Sequence, residues 1–70
     1  MIKYEIDVLA ALKDAGYTTY RIRQEKLLHE MTLQRLRHGE LVSWAILDEL
    51  CKLLDMQPGD LLERVEEPEV

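Results

Sequence analysis

The sequence predicts an all-α fold, a compact bundle of four to five short helices, on three observations. Apolar residues recur at helical spacing along the chain, and Gly16, Gly39 and Pro58-Gly59 cut that pattern into lengths suited to short helices. The composition suits a small collapsed body. Seventy residues, 47% hydrophobic and 33% charged with only 3 Gly and 2 Pro, make one domain with a core rather than a disordered chain or a fibre.

The elements follow in order. Val8, Leu9, Leu12 and Ala15 share a face, Ile6-Asp7 supplies a staple and a cap, and Gly16 is a stop, giving a first helix over about 6–15. Thr18 and Thr19 are both acceptable caps for a second helix. Its stretch Tyr20-Arg21-Ile22-Arg23-Gln24-Glu25 is a weak helix former that needs contacts through Ile22. Leu27-Leu28 interrupts the polar pattern. A third helix then runs over about 30–38 with Leu33 and Leu36 inward, ended by Gly39. Ser43 caps a fourth, where Ile46, Leu47, Leu50, Cys51, Leu53 and Leu54 form a broad apolar face and Asp48 and Lys52 are spaced to pair. Pro58 opens a last short turn at Gly59-Asp60-Leu61-Leu62. Ile2-Lys3-Tyr4 is a candidate minor strand against Glu63-Arg64-Val65. The domain is expected to span 1–65, with 66–70 a frayed acidic tail.

Several function classes are disfavoured by this arithmetic. A chain so short cannot enclose a deep pocket and a multi-residue catalytic centre, and no nucleophile–base pair is spaced for one, so no enzyme and no small-molecule substrate are expected. His29 and His38 stand nine residues apart without Cys or acid in ligand spacing, so no metal or other cofactor is expected. The lone Cys51 excludes an internal disulfide and reads as a small buried hydrophobe. No apolar run nears the ~20 residues of a membrane span and no leader opens the sequence, so a cytoplasmic protein without a membrane partner is expected.

The net charge of −5 argues against nucleic acid on its face, but the charge is segregated. Arg21, Arg23, Lys26, Arg35 and Arg37 oppose only Glu25 and Glu30 in the middle third, a local excess of +3, whereas residues 40–70 carry −7. A ligand within a Debye length of about 8 Å feels the local excess. Two short helices joined by a tight turn in that basic stretch are the arrangement that fits a DNA major groove.

Residues Thr18 to Gly39 resemble the helix-turn-helix of the phage Cro and lambda-repressor-like family. The run Thr32-Leu33-Gln34-x-Leu36-x-x-Gly39 looks like the end of that family's recognition helix. Ser43–Leu54 and Pro58-Gly59-Asp60-Leu61-Leu62 extend the likeness over most of the chain. Three positions differ from the family pattern: Arg23 stands where a small residue usually does, Leu27 where Gly marks the turn, and Arg37 where Glu often precedes the final Gly.

The resemblance implies a sequence-specific DNA-binding transcriptional regulator, acting as a homodimer on double-stranded DNA. By that analogy His29 caps the recognition helix, and Glu30, Met31, Gln34 and Arg35 face base edges. Arg35 suits guanine, Gln34 adenine and Glu30 a cytosine amino group. Thr19 matches a phosphate-gripping position, and Arg21, Arg23, Lys26 and His38 are phosphate candidates by charge. Met31 reads equally as a turn-packing residue. Arg37 is expected to pair with an acid of the first helix such as Asp14, and Trp44 to pack at the core or its edge. The competing function is a protein-interaction module on the same helices, antitoxin-like or an anti-repressor partner, favoured by the acidic C-terminal half and by Glu30.

Overall fold

A computed structural model describes residues 1–66. Its element order is β1 (Ile2–Tyr4), α1 (Val8–Asp14), α2 (Thr19–Gln24), α3 (Glu30–Arg37), α4 (Trp44–Leu54), α5 (Pro58–Leu61) and β2 (Leu62–Arg64). The five helices and the minor strand pairing are those expected. Of the acidic tail only Glu66 belongs to the described residues; 67–70 lie outside them.

The helix starts follow the side chains available to satisfy free backbone N–H groups. Asp7 accepts from the Ala10 amide at 3.2 Å, Thr18 from Arg21 at 3.2 Å and Ser43 from Ile46 at 3.3 Å. Asp7 thus leaves Ile6 outside the first helix, which begins two residues later than expected, and Thr18 rather than Thr19 caps the second. In α5 the cap is reversed: the Asp60 carboxylate accepts from the Gln57 amide at 3.0 Å, ahead of Pro58 at the first helical position.

The helix ends share one solution. After α1, α2, α3 and α4 a left-handed residue turns the chain, and its own amide and the next bond back to the last turn in a Schellman pattern. Tyr17 donates to Leu12 (2.7 Å), Leu27 to Ile22 (3.0 Å), Glu40 to Arg35 (2.8 Å) and Met56 to Cys51 (3.0 Å). Gly16 and Gly39 supply the left-handed residue at φ +95° and +72°, but Lys26 (φ +54°) and Asp55 (φ +53°) supply the other two. A residue with a Cβ is strained there by about 1–2 kcal/mol. Lys26→Gly is therefore expected to stabilise the domain by about 0.5–1 kcal/mol, the relieved strain less the entropy of a freer unfolded chain. Urea denaturation measures it; a lower midpoint would contradict the argument.

β1 and β2 pair antiparallel in the register Ile2↔Arg64, Lys3↔Glu63 and Tyr4↔Leu62. The second strand lies one residue earlier than expected, because α5 ends at Leu61 and the chain becomes extended at once. Lys3 and Glu63 face each other across the ladder at 3.6 Å. The Tyr4 hydroxyl donates to the Glu40 carbonyl at 2.8 Å and so ties the sheet to the loop after α3. Partial burial raises the pKa of this phenol.

Val8 and Leu12 from α1, Ile22 from α2, Leu28 from the turn, Leu33 and Leu36 from α3, Leu47 and Leu50 from α4 and Leu61 from α5 form the core. Every helix contributes, so α2, the weak helix former, is held through Ile22 as its sequence requires. Two expectations for α4 need correction. Cys51 is half-buried rather than enclosed, in a hollow with Trp44, Met56 and Pro58, and this burial, with Asp48 and Asp60 nearby, raises its thiol pKa. Asp48 and Lys52 form no ion pair among the described residues; a solvated i,i+4 pair contributes only about 0.2–0.5 kcal/mol, too little to fix two mobile side chains.

Candidate nucleic-acid interface

Helix α3 buries Thr32, Leu33 and Leu36. Because 3.6 residues make a turn, that inward face leaves Glu30, Met31, Gln34 and Arg35 on the opposite side. All four are exposed, with Met31 at 67%. The structure thus gathers the four expected base-contacting residues on one outward surface, and Met31 is not the turn-packing residue of the alternative reading. His29 occupies the N-cap position but its ring accepts no hydrogen bond from the helix, so the capping role implied for it is not performed. The negative charge of Glu30 in the first turn complements the helix dipole instead.

The expected phosphate partners divide into two groups. Lys26 and His38 are exposed at the ends of α2 and α3, and Thr19 is half-buried at the first position of α2. Among the described residues, Lys26 has no carboxylate within ion-pairing distance. Arg21 and Arg23 already hold carboxylates. Arg21 donates to Glu25 and, at 3.2 Å, to the Gly16 carbonyl, while its guanidinium lies 4.7 Å from the Tyr17 ring centroid. Its hydrogen bond to Glu25 raises its pKa further. Arg21 therefore fastens α2 to the end of α1 as well as presenting charge.

Arg23 answers the question raised by its position. It stands where a small residue would let two helices touch, yet it points outward and reaches across the turn. Its Nε donates to Glu30 Oε2 and its terminal nitrogen to Glu30 Oε1, both at 2.7 Å. This two-pronged pair joins α2 to the first residue of α3. Hydrogen bonding to Arg23 holds the Glu30 carboxyl below the usual carboxylate range, with the charges of Arg23 and Arg37 adding to it, and the Arg23 pKa is raised in return. Arg37 makes no ion pair with Asp14 among the described residues; it lines a hollow with Tyr4, Ile6, Asp7 and Leu36.

Two exposed aromatics were not anticipated. Tyr20 on α2 is 72% exposed, with its hydroxyl accepting from Gln24 at 3.2 Å. Trp44 is 86% exposed, not packed at the core edge. The signal for Trp44 was its place directly after the Ser43 cap, where no preceding helical turn covers it. With Ile2, Leu41, Val42, Leu47 and Leu62 it lines a shallow hollow without a charged residue.

Two short helices joined by a tight turn, the second with an outward polar face, suit a groove reader, and comparison with known families decides which. The model of the Cro/C1-type HTH DNA-binding domain matches residues 6–67. The chain belongs to that family. The Cro/C1-type domain is a DNA-binding one of helix-turn-helix type, and the match spans all five helices. No curated protein and no solved structure matches the chain. Among the described residues no helix is long and apolar enough to cross a membrane.

Proposed function

We propose that this Cro/C1-type domain is a sequence-specific transcriptional regulator that acts by occupying or recruiting at its site, without chemistry, in the cytoplasm. Helix α3 enters the major groove, where Glu30, Met31, Gln34 and Arg35 meet base edges. Thr19, Lys26 and His38 meet phosphates, joined by the donors that Arg21 and Arg23 have left over. The observation that carries this reading is the outward face of α3, free of the core and placed at the positive centre of a negative chain.

A domain of this size presents little area for tight specific binding, so two copies on a two-fold site, with recognition helices about 34 Å apart, suit it better than one. The uncharged hollow around Trp44 supports that arrangement: it exposes Ile2, Leu41 and Trp44 and includes no residue of the reading face.

An electrophoretic shift on a random duplex pool tests the reading. Retardation is expected at ~50 mM salt. For about four phosphate contacts per copy, the log–log salt slope is expected near −3.6 for one copy on a half-site and about −7 for two on the paired site. Arg35→Ala should weaken specific binding by about tenfold or more. No retardation at low salt would leave the protein-interaction module, favoured by the carboxylates that already occupy Arg21 and Arg23.

A further inference from the structure

We propose that Arg23 and Glu30 form one composite reader, in which Arg23 is a positioning residue that aims the Glu30 carboxylate at a cytosine. The inference rests on the reading of α3 as the groove helix and deepens it.

The pair makes two parallel hydrogen bonds at 2.7 Å, and both side chains remain about half exposed. Its consequence follows from counting donors and acceptors. A guanidinium carries five N–H groups, and two are used, so three remain. A carboxylate offers about four lone-pair sites, and two are used, so two remain on its outer side. The pair is thus a neutral, flat unit with acceptors left on Glu30 and donors left on Arg23.

A bare carboxylate at the entry of the groove would be repelled by phosphates. Paired, it enters without net charge, and its direction is fixed by a partner on a different helix. The chemistry of base edges then selects the target. In the major groove guanine shows two acceptors, thymine an acceptor and a methyl group, and adenine a donor beside an acceptor. Cytosine alone shows a donor, its N4 amino group, with no acceptor of its own beside it. A carboxylate held in place therefore prefers cytosine. The three remaining Arg23 N–H groups are available to a phosphate.

Sites selected from a random duplex pool by the wild-type protein, Glu30→Gln, Arg23→Ala and Arg23→Lys test this, with circular dichroism confirming the fold of each; both residues are exposed, so folding should survive. The wild type is expected to select a cytosine at one position, by about tenfold or more over other bases. Glu30→Gln should shift that position towards adenine and leave the others unchanged, since an amide pairs with adenine N6 and N7. Arg23→Ala should blur the same position while the rest of the site survives. Arg23→Lys should fail to restore it, because an ammonium cannot make the two-pronged pair. A uniform loss of affinity in Arg23→Ala with the base preference intact would make Arg23 a phosphate contact only and overturn the proposal. So would a site unaltered by Glu30→Gln. Failure of the wild type to select any DNA would overturn the groove reading itself, and the composite reader with it.

Discussion

Leu33→Ala is expected to remove most of the stability of the domain. Leu33 is 0% exposed and sits on the inward face of α3, in a core to which every helix contributes. Truncating a buried leucine costs about 2–5 kcal/mol, the lost transfer energy plus that of the cavity left behind. A 70-residue domain has roughly 3.5–10 kcal/mol in total, so the loss is of the same order as the whole. Thermal melting should show a fall in Tm of at least about 10 °C. Met31→Ala, one turn face away on the same helix, should change stability by less than about 0.5 kcal/mol. Equal losses in the two variants would mean that α3 is not oriented as described. The comparison also separates the two duties of the helix: one face holds the body together, and the other is free to be changed without unfolding it.

The second large effect concerns assembly. On the proposed two-fold pairing through the hollow around Trp44, Trp44→Glu is expected to convert dimer to monomer while leaving each copy folded. At 86% exposure the indole contributes little to its own domain, so the monomer should keep its stability within about 0.5 kcal/mol. In a two-fold interface the same side chain would be an aromatic anchor covering about 200 Å². Such anchors cost about 2 kcal/mol or more each when removed, and a two-fold interface holds two of them, so the dimer dissociation constant should rise by about a thousandfold. A buried unpaired carboxylate adds to that cost. Sedimentation equilibrium reads the change. Binding to a single half-site should be unchanged, whereas binding to the paired site should lose its steepness with concentration. A Trp44→Glu protein that dimerises like the wild type would place the pairing surface elsewhere.

Much of the fold was legible because its signals are local. Asp7, Thr18 and Ser43 advertise helix starts through side chains that accept from a backbone amide three residues on, and Gly16 and Gly39 advertise ends. The left-handed turn at Lys26 was hidden, since lysine does not announce that conformation, whereas Asp55 is of a type that tolerates it; tertiary burial of Leu28 and the hydrogen bonds from Leu27 and Met56 hold the two turns in place. Period made the inward side of α3 legible at Leu33 and Leu36, which leaves Gln34 and Arg35 outward; the expectation that they face base edges came from the family resemblance. The Arg23–Glu30 pair was not legible. Seven residues separate the partners, and only the turn between α2 and α3 decides that they meet. Trp44 misled for a related reason: apolar character counts towards a core in a sequence, but a helix's first residue has no turn before it to shelter it.

The little sheet has a consequence for how self-association and folding are connected. Its strands are about sixty residues apart in sequence, so their pairing carries the largest loop-closure cost in the molecule. Each strand is three residues long, so few hydrogen bonds hold the ladder and it is expected to open locally. Yet Ile2 and Leu62, one from each strand, form part of the hollow around Trp44. On the proposed pairing, a second copy seated there grips only the zipped form, and mass action then adds its binding energy to this short seam. Amide protons of the ladder should thus exchange more slowly as protein concentration rises, while those of α3 keep their pace.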